Sequence, residues 1–409
     1  MYFWRDDYTG IYFSQKELRG DPAFAYPYQV AFLVERFFWQ IFGLEAARYF
    51  FVEIVLYISA ACLLFYFLQK LFQDKKVAFF SSLIFAAGYM GQDAMKMSMG
   101  DGLGTIIALN VLLLNLAVFL RYILTKRKIL FIISVLLFFL TMEVAPQRTS
   151  SSLLIFLILD WFLSVKDKRK DILKRNLIFI LIFIVQYFIH PSVWILGYRI
   201  QPPTHFWGIL ASFSPRYFLS PIGTFWNLIF PSHFQDQFNI YIIGLTKEPF
   251  TILKLWISGL PVLVFIVVSL TFLKFIRPLE YKPRNILKFI MAFLVFSFFW
   301  AGILFRINID RSDLASIFNG GILLMLLIFL ILKGIPQSKK SSIFSLLIVF
   351  IMMVIFFITI SERILVSYNR YLLLPSFAIA FLPVIFVTKE FYFKQGPIRN
   401  FARGFFMVF

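Results

Sequence analysis

The sequence predicts an all-α polytopic membrane protein, and composition, run length and charge distribution carry this prediction. Of the 409 residues, 60% are hydrophobic and only 15% are charged, whereas a soluble domain is nearer half apolar. Apolar runs of roughly 18 to 25 residues recur along the chain, and each is long enough to cross a hydrocarbon core about 30 Å thick. The runs lack the alternation of barrel strands, so the spanning elements are predicted to be helices.

Short charged or proline-containing stretches divide the apolar runs into eleven predicted spanning segments. The segments near 76–92 and 128–142 are short and are expected to tilt little. The predicted segments lie near 49–73, 76–92, 104–124, 128–142, 148–165, 175–197, 252–276, 286–305, 313–333, 342–360 and 370–388.

Lysine and arginine are concentrated in alternate loops. One set of loops, with the C-terminal tail, holds 25 Lys and Arg against six Asp and Glu, and the other side holds 15 of each kind, so the whole formal charge of +19 lies on one face. The positive-inside rule makes that face cytoplasmic. The basic excess is therefore a topology signal and an attraction to anionic membrane lipids, and no nucleic-acid partner is expected.

Residues 1–48 consequently lie outside and precede the first predicted span. Residues 28–42 are too short to span, and six apolar side chains fall at helical spacing on one face, which predicts an amphipathic helix in the outer interface. An outer N-terminus without a signal is awkward to insert. We therefore expect a further helix upstream, ending near the aromatic residues "YFW" at 2–4.

The whole chain, 1–409, is predicted to be a single membrane domain. Its parts are an outer loop with an interfacial helix (1–48), core helices (49–197), a long outer loop (198–251), and further spanning helices with a short cytoplasmic tail (252–409). The cytoplasmic loops are too short for a second domain. Unusual residues gather in the outer loops, so function is expected on that face.

Carboxylates and arginines cluster at the predicted outer ends of the helices. Glu53 lies about one turn into the first span, Glu143 and Arg148 bracket "VAPQ", and Glu362, Arg363 and Arg370 share another outer stretch. Charged groups at membrane depth are costly and usually face a cavity, although local ion pairs explain most isolated cases. A carboxylate can act as a general base on a hydroxyl, and arginines can hold a phosphate leaving group.

Five stretches together resemble the GT-C membrane glycosyltransferases, in the branch of protein O-mannosyltransferases and bacterial lipid-linked sugar transferases. "FWRDDYTGIYF" and the following "GLEAARYFFVEIVLYISAACLLFYFLQKLF" are similar to that family's opening. "GYMGQDAMKMSMGDGLG" is similar to its second outer loop, "FLTMEVAPQRTSSSLLIFLILDW" to its Lys-Glu turn, and "SYNRYLLLPSFAIAFL" to its late Arg-Tyr stretch. The resemblance covers most of residues 1–165 and 362–381.

The resemblance implies a site on the outer face. It implies a catalytic base at Asp6 or Asp7, substrate or phosphate contacts from Asp93 and Asp101, and Glu143 lining the cavity. It further implies that Arg370, next to Tyr371, binds the donor phosphate with Arg363. Met142 stands where relatives have lysine.

The implied activity is hexosyl transfer from a polyprenyl-phosphate sugar to a glycan, lipid or protein acceptor, at the outer face of a prokaryotic plasma membrane. No certain cofactor is indicated: a divalent metal is compatible with this chemistry, but the three histidines lack the spacing of metal ligands.

Two other functions stay open at this point. A polysaccharide polymerase or ligase would use the long outer loop, with Arg216 and His233 as functional residues. A transporter or flippase would need charged residues near mid-membrane and an internal repeat, and the sequence displays neither.

Overall fold

The described part of the chain is built from helices and contains no strand. The computed structural model describes residues 29–88, 102–144, 149, 152–164, 167–186, 216–227, 230, 232–245, 249–276, 283–307, 311–332, 345 and 375–381. We number the helices in chain order: α1 Gln29–Phe42, α2 Ala46–Phe72, α3 Lys75–Ala87, α4 Leu103–Thr125, α5 Lys128–Val144, α6 Ser152–Leu163, α7 Arg169–Ile184, α8 Arg216–Asn227, α9 Ser232–Gln237, α10 Ile252–Ile257, α11 Leu260–Ile276, α12 Pro283–Phe305 and α13 Arg311–Leu332. A π-helical turn, Phe238–Ile243, continues α9, and Pro375–Phe381 forms a 3-10 helix.

The helices fall into two compact units. Helices α1 to α7 and the 3-10 helix belong to unit 1, and helices α8 to α13 belong to unit 2. Each unit is described by itself below.

Tight turns join the helices of unit 1 in pairs. Gln73 ends α2 with left-handed backbone angles (φ 54°), and the Asp74 carboxylate accepts hydrogen bonds from the Lys76 and Val77 amides at the start of α3. Lys126 ends α4 in the same left-handed conformation, two residues before α5 begins. A short side-chain acceptor at the N-cap satisfies amides that have no partner within the helix, so these turns reverse the chain with few residues.

The buried face of α2 is a narrow stripe that recurs every three or four residues. Ala46, Tyr49, Ala60 and Leu64 lie on this stripe, which α2 packs within unit 1, and Glu53 occupies the stripe as well. Most other side chains of α2 are exposed or half-buried. The stripe therefore places one carboxylate among apolar packing residues.

The predicted amphipathic helix is confirmed as α1. Its Phe38, Trp39 and Phe42 pack against the fully buried Tyr49, while Phe37 is 57% exposed. Helix α1 contacts α2, α4 and α5. The packing face includes Trp39, which the predicted apolar face did not contain.

Helix α13 organises unit 2 through four successive residues, Phe318 to Gly321. A Cβ on Gly320 would stand 1.8 Å from the carbonyl oxygen of Ile222 in α8, and a Cβ on Gly321 would stand 2.3 Å from the Trp300 indole nitrogen of α12. Only residues without a side chain allow so close an approach. The two glycines therefore let α13 pack directly against two neighbouring helices.

Helices occur in each of the first nine predicted spans, although their ends differ. The interval 252–276 is divided at Ser258 and Gly259 into α10 and α11. The interval 198–251, which was predicted as a long outer loop, contains α8, α9 and the π-helical turn at 216–227 and 232–243. Prolines suggested a broken chain there, but Pro221 lies inside α8. The span 342–360 lies outside the described residues apart from Ser345.

Within the described residues, two helices are long and apolar enough to cross a membrane. These are α2 and α4. They differ in setting, because 28% of the most apolar stretch of α2 is buried, against 78% for α4.

Candidate active site

Two carboxylates are buried in unit 1. Glu53 on α2 has no exposed surface, and Glu143, the penultimate residue of α5, is 5% exposed. Moving an ionised carboxylate out of water costs several kcal/mol unless partners compensate for it. Buried acidic groups are therefore candidates for a site rather than for packing alone.

Two side-chain hydrogen bonds define how α2, α4 and α5 lie alongside each other. The Asn110 amide of α4 donates to the Leu56 carbonyl of α2 at 2.9 Å. Ser134 of α5 donates to the Asn115 carbonyl oxygen of α4 at 2.6 Å. Helix α3 brings the chain back towards the side on which α2 begins, so α2 and α4 run in the same direction. The turn at Lys126 makes α5 antiparallel to α4.

Counting along the helices from these bonds brings the two carboxylates to one level. Glu53 lies three residues before Leu56 and so stands beside Ile107 of α4. Glu143 lies nine residues after Ser134, which is level with Ile106 along the axis, and these two and a half turns place it on the side of α5 away from Ser134. We call this part of the unit the glutamate end.

Met142, the residue before Glu143, belongs to a small buried hydrogen-bonded group. The Thr149 hydroxyl donates to the Met142 sulfur at 3.5 Å, and the Ser152 hydroxyl donates to the Thr149 carbonyl. Thr149, Met142 and Ser152 have no exposed surface. The Oε2 atom of Glu143 is buried and has no hydrogen-bond partner among the described residues. One carboxylate oxygen is therefore left to accept a bond from another molecule.

The opposite end of unit 1, which we call the arginine end, holds charges that are paired. Arg175 of α7 donates to both carboxylate oxygens of Asp160 in α6, at 3.0 and 2.8 Å, and donates to the Ser164 hydroxyl at 3.0 Å. The guanidinium also lies over the Tyr122 ring, 5.7 Å from its centre. The bidentate geometry and the extra donor compensate both buried charges.

Asp167 extends this arrangement towards the surface. Its carboxylate lies 2.6 Å from the Lys126 ammonium and 2.9 Å from the Arg175 guanidinium. Partial burial alone would raise the pKa of Asp167, but the hydrogen bond and charge of Lys126, together with those of Arg175, outweigh it and lower the pKa. The arginine end is thus a satisfied ionic network, and we assign it a structural role.

A layer of phenylalanines separates the two ends. The Phe179 ring of α7 lies 5.2 Å from Phe138 of α5, 5.1 Å from Phe156 of α6 and 5.4 Å from Phe119 of α4. All four rings are fully buried. This aromatic layer keeps the paired charges of one end apart from the polar groups of the other.

Unit 2 holds a separate buried network of neutral groups. The Gln235 carbonyl oxygen accepts from the Trp226 indole and from the Asn319 amide, both at 3.0 Å. The Asn319 amide also donates to the Ser258 carbonyl at 3.1 Å. Each of these four residues is completely buried. These hydrogen bonds connect helices α8, α9 and α13 with Ser258, the residue that follows α10.

Of the site residues implied by the family resemblance, the structure describes only Glu143, which is buried, and its place in a cavity stays a prediction. The polymerase candidates Arg216 and His233 lie in the helices α8 and α9. No group of three or more His, Cys, Asp or Glu side chains that could hold a metal is found in the described residues. The other predicted site residues, namely Asp6, Asp7, Asp93, Asp101, Arg363, Arg370 and Tyr371, lie outside them.

The charged and amide residues that the structure pairs between neighbouring helices were not predicted from the sequence. Asp160 stands inside the apolar run "LLIFLILDWFL", and a carboxylate at such a position could have indicated a buried, paired charge. Arg175 was assigned to a basic loop, although its side chain is buried. The amides of Gln186, Asn115 and Asn319 also interrupt apolar runs, and a search for such polar interruptions would have found them.

No protein-family model, no curated protein and no solved structure matches this chain. The chemistry therefore has to be argued from the residues. The glutamate end holds a buried carboxylate oxygen and two hydroxyls, and these groups can accept and donate hydrogen bonds.

Proposed function

We propose that this chain is an integral membrane glycosyltransferase that takes a sugar from a polyprenyl-phosphate donor. The observation that carries the proposal is Glu143, because it is buried at the predicted outer end of the helices and its Oε2 atom has no hydrogen-bond partner among the described residues. The resemblance of five stretches to the GT-C family supplies the reaction class.

The exposed surface of unit 1 supports a membrane location with many spans. Phe51, Ile54, Val55 and Ile58 of α2 are between 48% and 67% exposed, and Leu136 of α5 is 63% exposed. Monomeric soluble proteins rarely expose contiguous apolar surfaces of this kind. Lipid chains would cover such a surface at no cost, and the paired charges of the arginine end would then lie on the cytoplasmic side with the basic loops.

The proposed reaction is a displacement at the anomeric carbon. The oxygen of an acceptor hydroxyl forms a bond to that carbon, and the bond between the carbon and the donor's phosphate oxygen breaks. The hydroxyl proton passes to a carboxylate, assigned to Asp6 or Asp7, and polyprenyl phosphate leaves. Arg370 and Arg363 would stabilise the departing phosphate by charge-assisted hydrogen bonds.

In this scheme Glu143 binds a hydroxyl group of the substrate. A carboxylate held in a site closed to water makes a stronger hydrogen bond than one in solution, and the unpaired Oε2 costs free energy until a ligand occupies it. Asp93 and Asp101 are assigned to the substrate site, and Tyr371 adjoins Arg370 in the phosphate site.

The test is release of polyprenyl phosphate from a panel of polyprenyl-phosphate hexoses, using membranes that contain this chain. Asp6→Asn, Asp7→Asn and Arg370→Ala are compared with the unmodified chain. We expect release that one of the aspartate variants abolishes and Arg370→Ala strongly reduces. Glu143→Gln should lower the rate by about tenfold to a hundredfold, as for loss of a charged hydrogen bond.

The matched control is Ser134→Ala, a buried polar change on the same helix α5 that lies remote from Glu143. It should leave release unchanged in a correctly inserted chain. Absence of release from every donor would reject the transferase. Loss of function in Arg216→Ala and His233→Ala, with both aspartates dispensable, would favour the polymerase or ligase, and substrate movement without group transfer would favour the transporter.

A further inference from the structure

Two chain connections at the arginine end lie side by side. The Lys126 ammonium, in the turn between α4 and α5, lies 2.6 Å from the carboxylate of Asp167, which lies two residues before α7. The same carboxylate lies 2.9 Å from the Arg175 guanidinium inside α7. These ion pairs hold the turn before α5 against the start of α7. We call residues 126–128 and 167–170 the joined turns.

The cations on either side of the Lys126–Asp167 pair are exposed and remain available to an anion. No ion pair connects their side chains to another residue in the described part of the chain, and Asp171, also exposed, adds one negative charge next to them. Lys126 and Asp167 largely compensate each other, so the joined turns keep an excess of positive charge. The exposed cations are Arg127 and Lys128 in the first turn, and Lys168, Arg169 and Lys170 in the second.

Apolar side chains are exposed directly beside these cations. Ile129 follows Lys128 at the start of α5 and is 59% exposed, and Leu173 lies in the first turns of α7 and is 71% exposed. Further along the same helices, Leu136 and Leu177 are exposed as well. Exposed apolar surface of this extent is rare in soluble proteins. The surface is therefore basic at the turns and apolar along the helices, which matches the polar and apolar parts of an anionic lipid.

Helices α5 and α7 are neighbours below the joined turns. The Phe131 ring of α5 lies 5.9 Å from the Phe179 ring of α7. The axes of helices that pack together are about 8–10 Å apart, a distance that flexible lysine and arginine side chains on both turns can bridge towards one headgroup. The two groups of cations are thus positioned to contact a single ligand.

The chemistry of the surface selects a phosphate-bearing lipid. Lysine and arginine bind phosphate oxygens through charge-assisted hydrogen bonds, and basic clusters at the cytoplasmic membrane surface attract anionic headgroups. A headgroup with two phosphates can engage both groups of cations at once, and attachment at two points is tighter than attachment at either one. A soluble phosphate would leave Ile129 and Leu173 uncovered, whereas acyl chains would cover them.

We propose that the joined turns bind an anionic phospholipid whose headgroup carries two phosphates, as cardiolipin does. Arg127 and Lys128 contact one phosphate, and Lys168 and Arg169 contact the other. The acyl chains lie on the exposed apolar surface of the adjoining helices. This inference does not depend on the proposed glycosyl transfer, and it assigns to two turns a particular ligand rather than a general attraction of the positive face to the membrane.

The test measures the melting temperature of the purified full chain in detergent with four additions. These are cardiolipin, phosphatidylglycerol at equal total phosphate, phosphatidylcholine, and sodium pyrophosphate as a soluble anion with two phosphates. We expect cardiolipin to stabilise the chain most, phosphatidylglycerol less, and the other two little. Native mass spectrometry should detect cardiolipin retained on the chain, and high salt should weaken this binding because the contacts are ionic.

The first variant removes one cation from each turn, as Arg127→Gln with Lys168→Gln. Its apparent affinity for cardiolipin should fall by about tenfold or more. Its melting temperature without lipid should be unchanged, because both side chains are exposed. A second pair, Lys128→Gln with Lys170→Gln, should give the same result.

The matched control is Lys75→Gln with Lys76→Gln. It removes the same charge from exposed residues at the start of α3, on the same predicted cytoplasmic side but outside the joined turns. The affinity for cardiolipin should change by less than about threefold. The control therefore separates a site from a response to total charge.

Four results would overturn the proposal. Equal losses of affinity in the control and in the first variant would show that charge alone attracts the lipid. Equal stabilisation by phosphatidylglycerol would remove the requirement for two phosphates, and equal stabilisation by pyrophosphate would make the ligand a soluble anion. A lower melting temperature without lipid in both pairs of variants would assign these cations to the stability of the fold.

Discussion

Arg175 of α7 and Asp160 of α6 form a buried, bidentate ion pair near the connection where α6 ends and α7 begins. The pair lies 15 residues apart in the sequence and holds the two helices together beneath the aromatic layer. Ser164 and Tyr122 complete its surroundings. Each charge therefore depends on the other, which makes the pair the clearest point for testing the structure.

Removing one member of this pair should destabilise unit 1 strongly. Asp160→Asn leaves the Arg175 charge buried without its main partner, and such changes cost about 3–5 kcal/mol. The double variant Asp160→Leu with Arg175→Met should recover most of that loss, because neither charge remains. Thermal melting in detergent measures both. Lys126→Met, at the exposed edge of the network, should cost less than about 1 kcal/mol, and additive losses in the double variant would contradict the pairing.

Acidification should weaken the network through Asp167. Lys126 and Arg175 lower its pKa in the folded chain, so ionised Asp167 contributes stability above the ordinary carboxyl value of 3.8. That contribution is lost as the pH falls below this value towards the folded pKa. The melting temperatures of the wild type and Asp167→Asn should differ near neutral pH and converge in acid. A difference that stays constant down to pH about 3 would show that the charge of Asp167 does not contribute.

Gly320 should tolerate no side chain. A Cβ there would overlap the Ile222 carbonyl, so Gly320→Ala should force α8 and α13 apart and cost about 1–3 kcal/mol or more. Gly302 in α12 is the matched control, since a Cβ there would meet no atom within 4 Å. Gly302→Ala should be neutral or stabilise by about 0.5–1 kcal/mol. Equal melting temperatures for the two variants would rule out the close approach.

The proposed topology can be tested with single cysteines, because Cys62 is the only cysteine in the chain. In a Cys62→Ser background, Leu44→Cys lies in the turn between α1 and α2, where Leu44 is 68% exposed. Arg127→Cys lies in the exposed turn between α4 and α5. A membrane-impermeant maleimide should label position 44 in intact cells and position 127 only after permeabilisation. Labelling of both positions in intact cells would contradict a membrane between these turns.

Most of the helical layout follows from local patterns. The ends of α2 and α4 lie within a few residues of the predicted spans, because an apolar run and its flanking charged turn are contiguous in the chain. The amphipathic helix α1 is likewise a local periodicity. The helices α8 and α9 were not predicted because this interval was assigned to a long outer loop, whereas Pro221 lies inside α8.

The candidate site was predictable only in part. Glu143 was identified from its position at a helix end, and the structure buries it. The unbonded amide of Gln186 was not predicted, because nothing in the neighbouring residues distinguishes an amide that is bonded, such as Asn319, from one that has no partner among the described residues. That distinction depends on which helices lie alongside, and therefore on contacts between residues far apart in the sequence.

The sequence by itself determined that the chain is helical, where most helices lie, and which loops carry the positive charge, since run length, periodicity and charge are properties of neighbouring residues. The tertiary structure alone decided which buried polar groups are compensated. It paired Asp160 with Arg175 and joined Asn319 to Gln235, and it left Oε2 of Glu143 and both polar side-chain atoms of Gln186 without a hydrogen-bond partner among the described residues. The reason is physical: the cost of a buried polar group depends on what the fold brings within hydrogen-bonding distance of it.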